Sequence, residues 1–271
     1  MSARTSRNRK RLISGAIILA VAAGAYGIGR IYPPLGPSAG TVTPAQIYVD
    51  SLTEGEIPAR GRYVLVDAAS ARLFMIEDGH VRDSMRVIVG KPAAATPAMK
   101  STLYYATLNP YWNVPVDLAQ KLIAPRVLKD GTAYLTERHY EVVTKFGVDA
   151  KVLPADSVDW GAVAAGEAKV YVRQQPGPAN SMGQIKFGLA NGQGIYLHDT
   201  PNKELFEKPE RNLSNGCVRL EDAPRLARWL LGKEPAVETA APEQHLLIPG
   251  AVPITIAYLD SRAQMQVAGL Q

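Results

Sequence analysis

The dipeptide Asp78-Gly79 lies between two apolar runs, residues 72–76 and 81–89, and this arrangement constrains the fold more than any other feature. Asp-Gly favours the tight turn of a β-hairpin, and both flanking runs carry β-branched or aromatic residues. Similar runs at residues 63–66 and 102–108 stand before and after the hairpin. These four segments predict an antiparallel meander, and hence a sheet-based fold.

Residues 109–170 interrupt this β pattern with a segment that is more helical and more polar than its flanks. Residues 116–128 have the apolar spacing of a helix, and Asp130-Gly131 ends it. The β pattern resumes at residues 185–189. The segment is therefore predicted to be an insertion within one domain and not a separate domain.

The remainder of the chain adds short strands and one well-marked helix. Strands are predicted at residues 194–198, 217–220 and 252–258. The helix begins at Asp222, a favourable N-cap, and stops at Gly232. Residues 259–271 are expected to form a loose tail. The predicted architecture is one domain over residues 61–258, mainly β with α insertions and so of the α+β class.

Residues 1–30 have the pattern of an export signal, because five basic residues within the first eleven are followed by the uncharged residues 12–28. The uncharged segment is near the lower length limit for crossing a bilayer, so a cleaved signal peptide and an uncleaved anchor both stay open, with the anchor preferred. The prolines and small polar residues of 31–60 predict a linker. The body is therefore expected in the periplasm or cell envelope, tethered to the cytoplasmic membrane.

The net charge of +5 comes entirely from that basic start. Without its five lysine and arginine residues, 25 basic residues face 25 acidic ones, so the body is formally neutral. A surface that follows nucleic-acid phosphates needs an excess of basic residues. Nucleic acid is therefore not expected as a partner.

Cys217 is the only cysteine in the chain, and His198 is one of four histidines. A lone cysteine in an exported protein has no internal disulfide partner, so it is either an intermolecular partner or a reactive thiol. An imidazole close by can take its proton and leave a nucleophilic thiolate. One cysteine and one histidine, with no further ligand cluster, fall short of the ligands of a tetrahedral zinc site, so zinc is not expected.

The residues beside Cys217 supply further candidates for a nucleophilic site. Gly216 lacks a Cβ, so backbone N–H groups at this point can be directed at an oxyanion. The hydroxyl of Ser214 and the amide of Asn215 can add to the same hole. Arg219 follows Cys217 by two positions and on a strand shares the face of the sulfur, where a cation stabilises a thiolate and binds a substrate carboxylate.

Together, His198 and the run Ser214-Asn-Gly-Cys-Val-Arg219 resemble the signature of the L,D-transpeptidases. The family pattern is His, a variable loop, Ser or Thr, a variable residue, Gly, Cys, an apolar residue and often Arg. Three further stretches resemble the larger subgroup with a helical lid: NPYWNVP at 109–115, RQQPGPAN at 173–180 and YLHDTP at 196–201. The resemblance covers residues 61–258 and implies mixed and antiparallel sheets with a lid inserted at about 109–170.

The resemblance implies a cysteine enzyme that acts on peptidoglycan stem peptides without a metal or cofactor. Cys217 is then the nucleophile that forms a thioester on a tetrapeptide donor stem, with release of D-Ala. His198 is the base for the thiol and the acid for the leaving amine. Tyr196 and Trp112, which lie in the matching stretches, are candidates for binding the substrate.

The resemblance leaves two questions open: the role of Asn215 and the group that orients the His198 ring. Many members of the family carry a second histidine where this chain has Asn215, so Asn215 cannot be given base chemistry. The other ring nitrogen of His198 also needs a partner to orient it. A backbone carbonyl just after His198 and the side chain of Asp199 are the two candidates.

The acceptor of the acyl group also stays open. The amine of a second stem would give a cross-link, water would make the protein an L,D-carboxypeptidase, and a protein lysine would make it an anchoring enzyme. A sortase-like transpeptidase is disfavoured, because its Thr-Leu-x-Thr-Cys pattern is absent. A non-catalytic cell-wall-binding module is the alternative of another class, and the presence of both His198 and Cys217 argues against it.

Overall fold

The computed structural model describes residues 57–147, 149–235 and 241–270. The predicted signal segment, residues 1–30, and nearly all of the predicted linker, residues 31–56, lie outside the described residues. Within the described part of the chain, no helix combines the length and the apolar character needed to cross a bilayer.

The described residues form two sheets, which share no strand. In chain order the strands are β1 (Arg62–Asp67), β2 (Arg72–Glu77), β3 (His80–Gly90), β4 (Met99–Leu108), β5 (Trp112–Val114), β6 (Tyr140–Val143), β7 (Val152–Leu153), β8 (Tyr171–Gln174), β9 (Ile185–Leu189), β10 (Leu197–His198), β11 (Asn212–Ser214), β12 (Val218–Leu220) and β13 (Gln244–Ala257). The larger sheet has the order β11-β3-β12-β10-β9-β4-β13-β1-β2, and the smaller one has the order β5-β8-β6-β7.

The hairpin predicted at Asp78-Gly79 is confirmed. β2 and β3 pair antiparallel, and both turn residues have positive φ, 52° for Asp78 and 76° for Gly79. This is the backbone of a type I′ turn, for which Asp-Gly is a favoured sequence. The Asp78 carboxylate also accepts a hydrogen bond of 2.8 Å from the backbone N–H of Gly61.

The predicted meander stops after three strands. β4 does not pair with β3; it lies between β9 and β13, antiparallel to both. The last residues of β3 instead pair with β12 and β11, so that edge is already occupied. Because the first part of β3 also pairs with β2, the sheet returns on itself.

The main apolar core is shared by this sheet and one helix. Helix α4 (Ala223–Leu231) contributes Leu226, Ala227 and Leu230 to the same buried cluster as Phe187 and Leu197. Its ends are those predicted: the Asp222 side chain accepts a hydrogen bond of 3.0 Å from the backbone N–H of Arg225, and Gly232 has a φ of 69°. The α+β class is therefore confirmed.

The insertion has a small core of its own. It contains α1 (Val116–Leu118, continued through a π-helical turn at Ala119–Ile123 into Ala124–Asp130), α2 (Ala133–Glu137) and α3 (Trp160–Ala165). These helices pack on the smaller sheet around Val114, Ile123 and Val172. The lid is therefore not only helical, and it extends to the end of β8 at Gln174 because β8 pairs with both β5 and β6.

The prediction of a loose tail at residues 259–271 is wrong. Helix α5 (Ser261–Ala268) begins at Asp260, whose side chain accepts a hydrogen bond of 2.8 Å from the backbone N–H of Ala263. Ala263 and Val267 are buried against Tyr63, Leu65 and Ile76 in a separate apolar cluster. Small residues such as alanine give a weak hydrophobic periodicity, which explains why the sequence pattern does not reveal this helix.

Candidate active site

Two neighbouring parallel strands bring the cysteine and the histidine together. β10 and β12 pair so that Leu197 lies opposite Val218 and His198 lies opposite Arg219. Leu197 and Val218 are fully buried in the core. Because side chains alternate along a strand, His198 and Arg219 point to the other face. Cys217, which immediately precedes β12, is one strand spacing away from β10 and two residues along from Arg219 on that face.

His198 is held as a neutral imidazole with a defined tautomer. Its Nδ1 lies 2.5 Å from the backbone carbonyl oxygen of Asp199. A carbonyl only accepts hydrogen bonds, so Nδ1 carries the proton and Nε2 keeps its lone pair. Burial, assisted by the nearby guanidinium of Arg219, lowers the pKa of His198 to about 4, although the hydrogen bond to Asp199 acts in the opposite direction. The ring is therefore an unprotonated base at neutral pH.

The Asp199 carboxylate does not orient the imidazole, because it is engaged elsewhere. Its Oδ2 accepts a hydrogen bond of 2.9 Å from the backbone N–H of Gln184, and its Oδ1 accepts one of 2.7 Å from Lys203 Nζ. A Cβ at position 183 would collide with this carboxylate at 2.4 Å, so Gly183 is needed for the close approach. The side chain therefore fixes the backbone of Asp199, and the backbone carbonyl orients His198.

Cys217 is also neutral at rest. Its Sγ lies 3.7 Å from the carbonyl oxygen of Gly194, to which the thiol donates. Burial raises the pKa of the Cys217 thiol, while a backbone hydrogen bond from Tyr196 and the charge of Arg219 act in the opposite direction. Both shifts favour a thiol beside a neutral imidazole over a thiolate beside an imidazolium.

In the turn before Cys217, some polar groups are hydrogen-bonded and others are not. The Ser214 hydroxyl donates to the Cys217 carbonyl oxygen at 2.6 Å and accepts from the Gly216 N–H at 3.1 Å. The Ser214 hydroxyl and the Gly216 N–H, both predicted to face an oxyanion, are thus hydrogen-bonded within the turn. Over residues 57–147, 149–235 and 241–270, no hydrogen bond is made by the Cys217 N–H. That amide is the available oxyanion donor, and Asn215 is exposed.

Thr96 supports this turn from beneath, and the sequence pattern does not single it out. Its hydroxyl donates to the Gly216 carbonyl oxygen at 2.8 Å and accepts from the Gly90 N–H at 2.8 Å. Thr96 is only 1 % exposed. Gly216 has a φ of 122°, a conformation that residues with a Cβ rarely adopt. The turn is therefore held by the buried Thr96 hydroxyl on one side and by Ser214 on the other.

Arg219 presents a cation with no partner in the described part of the chain. It makes neither a hydrogen bond nor an ion pair there, although it is half-buried. A guanidinium taken partly out of water is costly unless an anion pairs with it. The position therefore suits an anionic group of a ligand that lies across Cys217 and His198.

Comparison with known proteins shows the family to which the chain belongs. The family model of the L,D-transpeptidase catalytic domain, YkuD, matches residues 61–250. The chain belongs to this family. A Haemophilus influenzae protein described as a proposed L,D-transpeptidase is 36 % identical over 183 residues, which cover 68 % of this chain and 36 % of that protein. The chain thus spans about a third of the length of that relative.

Solved L,D-transpeptidase structures overlap only loosely with the chain. An enzyme from Mycobacterium smegmatis has a TM-score of 0.35 and 15 % identity, covering 72 % of this chain and 58 % of that one. The catalytic domain of the Enterococcus faecium enzyme, solved in a form acylated by ertapenem, has a TM-score of 0.34 and 16 % identity, covering 73 % and 97 %. The family assignment rests on the family model and the Haemophilus protein.

Two further residues predicted to bind substrate in this L,D-transpeptidase domain have other contacts. Tyr196 supplies the backbone hydrogen bond to Cys217, and its ring lies 5.4 Å from Lys186 Nζ. Trp112 packs against the apolar core of the lid, with its ring 6.2 Å from that of Tyr140. The structure thus brings Tyr196 to the site, whereas it gives Trp112 a packing contact in the lid.

Residues that the sequence does not single out also reach this face of the L,D-transpeptidase sheet. Lys186 lies opposite His198 in the β9–β10 ladder. Glu243 Oε1 lies 3.8 Å from Lys186 Nζ. Neither belongs to a recognisable motif, and only the strand register places them. Among the described residues no group of three or more His, Cys, Asp or Glu has the spacing of a metal site.

Proposed function

We propose that this protein is an exported L,D-transpeptidase that acts on peptidoglycan stem peptides through a thioester on Cys217. The observation that carries the proposal is the arrangement of Cys217, neutral His198 and unpaired Arg219 on one face of two parallel strands. Family membership supports the same chemistry. The exported location rests on the basic and apolar pattern of residues 1–30.

The first step is acylation of the cysteine. His198 Nε2 takes the thiol proton while Sγ attacks the carbonyl carbon between a diamino acid and the terminal D-Ala of a donor stem. The carbonyl oxygen becomes an oxyanion, for which the Cys217 N–H is the available donor, and one such donor is worth roughly 10²–10³ in rate. The C–N bond then breaks, His198 returns the proton to the amine of D-Ala, and a thioester remains.

The second step transfers the acyl group. His198, neutral again, takes a proton from an incoming amine as its nitrogen attacks the thioester carbonyl. The C–S bond breaks, the sulfur regains a proton, and a new amide joins two stems. Water in place of the amine gives L,D-carboxypeptidase activity, and a lysine of a protein gives an anchored protein. These remain the alternatives within the same chemistry.

The test uses the full chain and its Cys217→Ala variant. Both are incubated with a carbapenem and measured by intact mass, because the ertapenem-acylated relative shows that such a drug can act as an acyl donor in this family. D-Ala release from a tetrapeptide stem is measured in parallel. We expect one adduct and D-Ala release with the parent only. A parent that gives neither would overturn the proposal.

The acceptor is identified by separating the products formed on isolated peptidoglycan. Cross-linked dimers between two diamino acid residues indicate a second stem as acceptor, whereas tripeptides alone indicate water. A protein recovered with muropeptide attached to a lysine indicates anchoring. The absence of all three products, with D-Ala still released, would show that the acceptor is of another class.

A further inference from the structure

Lys186 extends the candidate active site across a third strand. In the β9–β10 ladder it lies opposite His198, and in the β4–β9 ladder it lies opposite Thr107. Its side chain is only 13 % exposed. Lys186 Nζ lies 5.4 Å from the centre of the Tyr196 ring, and Tyr196 is hydrogen-bonded to Cys217. The ammonium therefore leans along the sheet towards the nucleophile.

Glu243 approaches the same point from the other side. It stands just before β13 and has a φ of 54°, an unusual value for a residue with a Cβ. Its Oε1 accepts a hydrogen bond of 2.8 Å from the backbone N–H of Tyr111, where the lid begins. The carboxylate also lies 3.8 Å from Lys186 Nζ and 3.9 Å from His245 Nε2.

The contact between Lys186 and Glu243 is too long for a strong hydrogen bond. A charge-assisted N–H···O bond is about 2.7–2.9 Å long, so 3.8 Å leaves both charges incompletely paired. At this distance the pair gains less than a hydrogen-bonded ion pair would, although the Lys186 side chain is only 13 % exposed. Nevertheless the chain holds Glu243 in a costly backbone conformation beside it, and such strain is often kept at ligand sites.

We infer that Lys186 and Glu243 bind the zwitterionic end of a diamino acid side chain in the stem peptide, Lys186 receiving its carboxylate and Glu243 its ammonium. The inference rests on the proposed function and names a recognition element for it. A ligand group that carries both charges pairs with Lys186 and Glu243 at once, so neither residue is left with a buried unpaired charge. A ligand with only one of the charges would leave the other residue unsatisfied.

The position also fits the reach of such a side chain. β12, which Cys217 immediately precedes, is separated from β9 by β10 alone, so β12 and β9 are about 10 Å apart. Lys186 spans part of that distance by lying over Tyr196. A side chain of three methylene groups covers about 5 Å more. Arg219, on the opposite side of His198, stays free for the carboxylate of the terminal residue.

The test compares three tetrapeptide donors that differ only at the diamino acid. One carries meso-diaminopimelate, one carries lysine and so lacks the carboxylate, and one carries diaminopimelate with its distal amine acetylated. With the parent enzyme we expect kcat/KM for D-Ala release to be about 10- to 100-fold higher for the first donor than for either of the others, as for a charge-assisted hydrogen bond.

The variants assign each charge to its residue. Lys186→Met should remove the preference for diaminopimelate over lysine, and Lys186→Arg should restore part of it. Glu243→Gln should remove the penalty for acetylation and leave the carboxylate preference in place. Lys233→Met, an exposed lysine after α4, is the matched control and should behave as the parent. Melting temperatures within about 2 °C of the parent show that each variant is folded.

The outcomes separate the two proposals. A parent that releases no D-Ala from any donor overturns the proposed function. A parent that releases D-Ala without preferring diaminopimelate, or variants that keep the full preference, overturn the assignment of Lys186 and Glu243 while the proposed function stands. A selective loss in each variant, with kcat changed less than KM, supports the assignment, because a general structural defect would lower activity towards all three donors equally.

Discussion

The buried state of His198 predicts an enzyme that keeps its base in mild acid. With a pKa of about 4, about 97 % of the imidazole is unprotonated at pH 5.5. An ordinary histidine with a pKa of about 6.5 would be only about 9 % unprotonated at that pH. In the proposed mechanism His198 accepts the thiol proton, so the acylation rate depends on this unprotonated fraction. Between pH 5.5 and 7 the rate should therefore stay nearly flat, whereas an ordinary imidazole would give a rise of about eightfold.

The assay is the rate of carbapenem adduct formation on the full chain, followed by intact mass from pH 4 to 8. The acid limb of the profile should have its midpoint close to pH 4. Arg219→Gln removes a cation that lowers the pKa of His198, so the midpoint should move to higher pH whatever happens to the maximum rate. Arg262→Gln, on the exposed side of α5, is the matched control. A midpoint near 6.5 in the parent would refute the neutral, buried base.

The thiol provides an independent check on the same reasoning. Burial raises the pKa of Cys217, so alkylation by iodoacetamide should titrate above the pKa of a free cysteine. Cys217 is the only thiol in the chain, so the measurement reports on it alone. Alkylation that titrates well below the free value would show a resting thiolate–imidazolium pair instead.

Substitutions at two positions test how the backbone holds the site. Asp199→Ala removes the acceptor for the Gln184 N–H, which should lower the free energy of unfolding by about 1–3 kcal/mol and loosen the carbonyl that orients His198. The acylation rate and its pH profile report the effect. Asp199→Asn keeps an acceptor and should therefore behave much more like the parent. Gly216→Ala places a Cβ on a residue with a φ of 122°, so the melting temperature should fall by several degrees and acylation should be slowed; an unchanged melting temperature would contradict the strain argument.

The parts of the fold that sequence reasoning predicts well are those determined by neighbouring residues. The β2–β3 hairpin follows from Asp78-Gly79, and α4 follows from its two caps, Asp222 and Gly232. The partners of β4 do not follow in this way, because it pairs with β9 and β13, which lie far along the chain. Such pairings depend on which edges are already occupied, and no local pattern records that.

The candidate site divides in the same manner. Cys217 and His198 are identified by their residue types and their motif, but their shared face depends on the parallel pairing of β10 with β12. Lys186 and Glu243 are common residue types 57 positions apart, and only the register and the lid contact bring them together. The carbonyl of Asp199 also escapes side-chain reasoning, because every residue except the last in a chain has one to offer.

The two pKa shifts at the site have the same consequence for the proton shared by Cys217 and His198, and they determine when it moves from sulfur to the imidazole. Burial raises the pKa of Cys217 and lowers that of His198, so the proton stays on sulfur in the free enzyme. Arg219 and Lys186 add to the lowering at His198 through their positive charges. A carboxylate bound to Lys186 would offset its field and make the imidazole more basic, whereas a carboxylate bound to Arg219 would do the same and would also raise the pKa of the Cys217 thiol. The substrate would then strengthen the base at the moment when its carbonyl stands beside the thiol, and in the empty site the Cys217 thiol would stay protonated.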